Sequence, residues 1–156
     1  MLMQNKWKAF VGSAGYTVAV VALGIYLSAG SMQQYEGLYK PPLAPPGWLF
    51  PVVWTILYIL MAIASWKVAL SLDPARGKAL WLYRIQLVVN ILWPVFFFRL
   101  ERYWLAFLWL ALLWILVKKT IEAFSEVNMK AGQLMIPYVY WITYAVYLNL
   151  AYALHG

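Results

Sequence analysis

Five apolar stretches, each about 20 residues long and set apart by short charged runs, constrain this chain more than any other feature. They lie at about 10–29, 48–70, 80–98, 103–121 and 134–154. A hydrocarbon core of ~30 Å is crossed by about 20 apolar residues in helical form. Only a helix or a closed barrel satisfies its own backbone donors and acceptors there. The expected fold is an all-α membrane protein, a bundle of five transmembrane helices forming one domain over residues 1–156. Charge supports this, since 11% of residues are charged against roughly 25% in a soluble domain. The first stretch follows Lys6 and Lys8 and ends near small residues, as a signal peptide does. Its apolar run exceeds the roughly 7–15 residues of a signal core, so it is read as a retained span.

The connections carry further information. Asp73–Gly77 and Arg99–Arg102 are short, and a polar connection is expected at about 122–133. Short links predict antiparallel neighbours for the later helices. The first connection, residues 31–47, is long and holds Pro41, Pro42, Pro45 and Pro46. Proline fixes φ and restricts its predecessor, so this segment should be stiff and extended, a lid over the outer end of the bundle. Five spans put the termini on opposite sides. The N-terminal side then carries nine of the twelve Lys and Arg residues and the other side Lys40, Arg99 and Arg102. The positive-inside rule places the N-terminus in the cytoplasm and the C-terminus outside, in a multi-pass protein of the bacterial plasma membrane. The net charge of +7 is accounted for by membrane lipid headgroups, with no need for nucleic acid.

The chain has no cysteine and one histidine, His155. Thiolate catalysis and a His- or Cys-ligated metal site within the bundle are thereby excluded, and no cofactor is required. The five acids, Glu36, Asp73, Glu101, Glu122 and Glu126, all lie outside the span centres. Ion-driven transport lacks its usual intramembrane carboxylate. What the spans do hold is aromatic rings and amides at helical spacing. Trp54 and Tyr58 share one face, as do Asn90, Trp93 and Phe97, with Pro94 weakening the local ladder. Tyr138, Trp141, Ala145, Leu148 and Tyr152 form a third stripe beside Asn149. Aromatic stripes commonly serve packing, and a lone amide commonly joins helices. Three such faces, two carrying an amide that must turn inward to find a partner, suit a cavity for a flat apolar ligand. Gly12, Gly15, Ala19 and Ala22 are expected as close-packing positions and a candidate homodimer face. Lys118 and Lys119 are expected to snorkel to the headgroups.

Three ordered motifs carry a family resemblance. The first runs from Tyr35 through Lys40-Pro41 and Pro45-Pro46-Gly47 to Phe50-Pro51-Val52-Val53-Trp54-Thr55-Ile56-Leu57-Tyr58. The second is Asn90-Ile91-Leu92-Trp93-Pro94-Val95-Phe96-Phe97-Phe98, and the third spans Pro137 to Asn149. Over nearly its whole length the chain resembles the translocator protein family, the TspO/MBR or tryptophan-rich sensory proteins. The resemblance implies a five-helix bundle, commonly dimeric, that binds porphyrins such as protoporphyrin IX and haem. It also implies binding of flat drugs and, in animals, of cholesterol. Trp54 and Trp141 match tryptophans implicated in porphyrin binding and its light-dependent breakdown. Tyr35 and Pro45 match lid positions, and Tyr58, Asn90, Trp93, Ala145 and Leu148 match positions lining the drug pocket. Two departures stand out: Leu43 replaces a lid tryptophan of many bacterial members, and the aromatic-then-basic cholesterol motif is absent after Tyr152. A porphyrin-binding receptor or sensor, a photo-oxidative porphyrin-degrading enzyme, a passive porphyrin or lipid transporter and a membrane scaffold all remain open at this stage.

Overall fold

The computed structural model describes residues 2–155, and five of its helical segments are long and apolar enough to cross a membrane. In chain order the elements are α1 (Leu2–Leu27), α2 (Ser31–Glu36), α3 (Leu49–Ala69), α4 (Arg76–Pro94) with a π-helical turn (Val95–Arg99), α5 (Tyr103–Val127), α6 (Met129–Leu134) and α7 (Ile136–His155). The last span joins α6 and α7.

The helices outrun the apolar stretches. α5 continues through Glu122 and Glu126 to Val127, where the sequence led us to expect a polar connection. A bilayer limits the apolar length of a helix, not the helix itself, and Glu and Lys are good helix formers beyond the hydrocarbon. The connection shrinks to Asn128, whose side chain accepts from the Ala131 N–H at 3.2 Å and caps α6. α6 folds back so closely that a Cβ on Gly132 would lie 1.9 Å from Ser125 Oγ, which requires glycine there. The first connection also departs from an extended strap. It begins with α2, and only its proline-rich half is extended, with a turn at Leu43 (φ 67°).

α4 packs along α5, and α5 along α7, as their short links predict. α3 and α4 meet less extensively than expected for sequential helices, because α1 packs against both. α6 brings the start of the last span against α3 and closes the ring. Close packing of α1 occurs at Gly24, where a Cβ would stand 2.8 Å from Ile91 Cγ2. Gly12 and Gly15 would meet nothing within 4 Å. These two glycines make no close contact with the chain's own helices, which corrects the close-packing part of the expectation.

Two buried clusters fill the bundle. One, around Met61, Leu87, Leu110, Leu113, Phe124 and Tyr138, occupies its middle and N-terminal half. The other, around Tyr35, Phe97, Ala106, Leu148 and Tyr152, lies under the first loop. Both contribute to the walls of one cavity.

Candidate ligand site under the first loop

The floor of the site is a buried chain of polar groups, each with a partner. The Tyr58 hydroxyl donates to Asn90 Oδ1 at 2.9 Å, and Asn90 Nδ2 donates to the Tyr138 oxygen at 2.6 Å. Tyr138 donates in turn to Gln86 Oε1 at 2.8 Å. An unpaired amide in hydrocarbon would be costly, so these bonds fix α3, α4 and α7 in one register. A second amide acts similarly higher up. Trp93 Nε1 donates to Asn149 Oδ1 at 2.9 Å, and Asn149 Nδ2 donates to the Tyr103 carbonyl at 3.0 Å.

Above this floor the walls are almost entirely apolar. Trp54, Trp93, Phe97, Phe98, Trp141, Ala145, Leu148 and Tyr152 line a cavity of about 120 Å3. Trp54 stands edge-on to Trp141 (centroids 6.4 Å, 90°) and stacks on Tyr58 (5.3 Å, 27°). Pro94 explains how the Phe run reaches the cavity. Without an N–H it cannot continue the ladder, and the chain widens into a π turn closed by Leu100 N–H to the Val95 carbonyl at 2.9 Å. Phe97 and Phe98 both line the cavity as a result. The Trp93, Trp109 and Trp114 indole N–H groups have protein acceptors. Among the described residues, those of Trp54 and Trp141 have none.

A lateral cavity of about 400 Å3 adjoins the first and shares Ser31, Met32, Phe50, Trp54, Asn90 and Trp93 with it. Its other walls include Val21, Gly24, Ile25 and Ser28 of the α1 end, so it opens between α1 and the α3–α4 pair. Ligand pockets for drug-sized molecules measure roughly 300–1,000 Å3. The first cavity alone falls below that range, and the lateral one lies within it.

The first loop roofs the site, braced within itself by Tyr35 and Lys40 and tied to α7 at two points. Tyr35, buried, lines the cavity and donates its hydroxyl to the Pro45 carbonyl at 2.6 Å. Tyr144 and Tyr147 of α7 donate to the Leu43 and Pro42 carbonyls, the latter at 2.7 Å. The Lys40 ammonium bonds the Tyr35 carbonyl and sits 3.9 Å above the Tyr35 ring. Burial pushes the Tyr35 phenol above its ordinary 10.0, which keeps its proton in place as a donor.

Of the residues singled out in the sequence, Tyr35, Trp54, Asn90, Trp93, Trp141, Ala145 and Leu148 converge on this cavity. Tyr58 reaches only the lateral cavity, and Pro45 touches neither, serving instead as the acceptor for Tyr35. Tyr138, buried in the floor, does not line the cavity itself. Sequence reading missed Gln86, whose i, i+4 spacing to Asn90 was the available signal. It also missed the latching pair Tyr144 and Tyr147, whose partners are loop carbonyls that no spacing reveals. Among the described residues, no three His, Cys, Asp or Glu side chains converge as metal ligands.

Fold and cavity together define a multi-pass α-helical membrane protein with an aromatic pocket under a proline-rich lid. Residues 13–154 match the model of the TspO/MBR family. The chain is 36% identical over 147 residues to a tryptophan-rich sensory protein of Cereibacter sphaeroides, covering 94% of this chain and 90% of that one. It is 40% identical over 134 residues to protein CrtK of Rhodobacter capsulatus, covering 83% and 81%. To the human translocator protein it is 32% identical over 148 residues, covering 90% and 87%. The chain belongs to the TspO/MBR family.

Proposed function

We propose that this protein is a membrane receptor or sensor that binds a porphyrin, such as protoporphyrin IX or a haem-type tetrapyrrole, between Trp54, Trp93 and Trp141. The observation that carries the reading is a nearly apolar cavity walled by Trp54, Trp93 and Trp141, with the Trp54 and Trp141 indole N–H groups lacking a protein acceptor among the described residues. Flat π-surfaces suit a macrocycle, and the indole donors supply the few polar contacts that orient it. The macrocycle occupies the first and lateral cavities together, because the first is too small by itself. Its carboxylates lie toward the lid end of the bundle, where Arg99 and Arg102 can pair with them, since Lys40 is engaged by the lid. The protein resides in a bacterial plasma membrane with its N-terminus cytoplasmic and its C-terminus outside, and works as a homodimer.

Protoporphyrin IX titrated into the purified protein in the dark should quench tryptophan fluorescence saturably. Trp54→Phe and Trp141→Phe should each weaken binding by about tenfold, the scale of one lost aromatic contact and one hydrogen bond. Linear quenching, identical in all three proteins, would mean partition into detergent and would remove the reading.

One observation favours a second reading, light-dependent oxidation of the bound porphyrin by molecular oxygen. Trp54 contacts not only Trp141 and Tyr58 but also Tyr138, at 6.2 Å, so an oxidised indole has redox-active neighbours. Illumination would then give a new tetrapyrrole product in wild type and none in the two tryptophan variants. Passive transport of porphyrin has no comparable support beyond the lateral opening.

A further inference from the structure

A second cavity, of about 200 Å3, lies at the other end of the bundle, between α1, α3 and α4. Lys8 and Arg84 line it, together with Gly12, Ser13, Tyr16 and Ser65. Arg84 is eight residues into α4, hence about 12 Å from the helix start at a rise of ~1.5 Å per residue. A helical side chain leans toward the helix N-terminus, so the exposed Arg84 guanidinium reaches back toward that end of the bundle, on the same side as Lys8.

Nothing in the described residues neutralises it. The Tyr16 ring faces the guanidinium at 5.7 Å, while the Tyr16 hydroxyl donates to the Arg84 carbonyl at 3.0 Å. Those contacts hold the arginine backbone and give its charge a π-face. They leave its planar fork of N–H donors without an acceptor among the described residues. The acids at this end do not line the cavity: Asp73 is in the α3–α4 link, and Glu122 and Glu126 lie on α5. The Asp73 carboxylate also accepts from the Ala75 N–H at 2.8 Å. Gly12 faces open space at the cavity, since a Cβ there would meet no atom within 4 Å, so a larger side chain can enter it.

We propose that this cavity binds the phosphate headgroup of an anionic phospholipid from the leaflet at the N-terminal end. Arg84 engages two phosphate oxygens with its fork, and Lys8 closes over the same phosphate from α1. The acyl chains run down the exposed side of α1. This site lies at the opposite end of the bundle from the porphyrin cavity and does not depend on the reading given for it.

The test is native mass spectrometry of the full chain, purified in detergent and supplied with phosphatidylglycerol. Wild type should retain one lipid at collision energies that strip all others. Lys8→Gln with Arg84→Gln should weaken retention by about tenfold, as loss of charge-assisted hydrogen bonds implies. Gly12→Leu, which fills the cavity without altering charge, should do the same. Lys6→Gln with Lys78→Gln removes as much charge from the same end, outside the cavity, and should retain the lipid. Equal thermal unfolding of all four proteins in lipid-free micelles establishes that each is folded. Retention by the Lys8/Arg84 or Gly12 variant, or equal loss in the Lys6/Lys78 control, would overturn the proposal. So would displacement of the lipid by millimolar inorganic phosphate, which would identify the site as one for a free anion.

Discussion

At the scale of single residues, the bundle is organised by a few polar atoms whose partners are fixed. Asn90 serves Tyr58 and Tyr138 at once, so Asn90→Leu leaves both hydroxyls short of a partner. The expected cost is about 2 kcal/mol, read as a fall in thermal unfolding temperature in detergent. Tyr152 is the opposite case. Its hydroxyl is buried without a well-formed hydrogen bond among the described residues, with the Tyr35 hydroxyl close by, so removing it sacrifices little. Tyr152→Phe should leave the unfolding temperature unchanged or raise it, and a drop of several degrees would show that the hydroxyl does have a partner. Asn90 and Asn149 were legible in the sequence because an amide inside a span must find a partner. Gln86 was less so, sitting only two residues past Arg84 in a stretch whose polarity suggests a helix end. Its full burial follows from the position of Tyr138 on a helix more than fifty residues away in the chain, which periodicity does not encode.

At the scale of elements, the proposed function makes the lid and the lateral opening the two routes for a ligand, and each can be tested. Tyr144→Phe with Tyr147→Phe removes two ties to the loop. Porphyrin dissociation, followed by stopped flow, should accelerate about tenfold, the combined worth of two ordinary hydrogen bonds. The brace within the loop is sensitive to alkali. The Tyr35 phenol must keep its proton to donate to Pro45, and burial raises its proton affinity in the closed state. Above pH 10 the closed lid therefore binds more protons than the open one, and closure weakens as pH rises through the raised value. Dissociation should be flat from about pH 6 to 9 and climb only beyond 10. Ser28 lines the lateral cavity from α1. Ser28→Trp should fill that opening and slow association by tenfold or more, and an unchanged rate would route the ligand through the lid instead. The five spans were legible because the hydrocarbon core demands them. The true ends of α5, the short α2 and the π turn were not, because apolar length marks the membrane and the backbone ladder continues beyond it.

At the scale of the whole molecule, the two ends of the bundle differ in kind. The lid end is aromatic and latched by tyrosine hydroxyls, with the Tyr39 ring stacked on His155 at 3.9 Å. The N-terminal end is basic and open to lipid. This polarity follows from a chain that places its prolines in the first connection and most of its Lys and Arg at the opposite boundary. It also gives the central claim a direct test, because the ten tryptophans fall into distinct groups. Trp54, Trp93 and Trp141 line the cavity, whereas Trp7, Trp48, Trp81 and Trp104 are more than half exposed on the outer face. The measurement is to load the protein with protoporphyrin IX, illuminate it briefly in air, and map oxidised residues by peptide mass spectrometry. A porphyrin held in the cavity should oxidise Trp54 and Trp141 first, with Tyr35 next and the four outer tryptophans spared. Oxidation concentrated on Trp7, Trp48, Trp81 and Trp104, with the cavity residues intact, would place the porphyrin in the lipid or detergent and contradict the account.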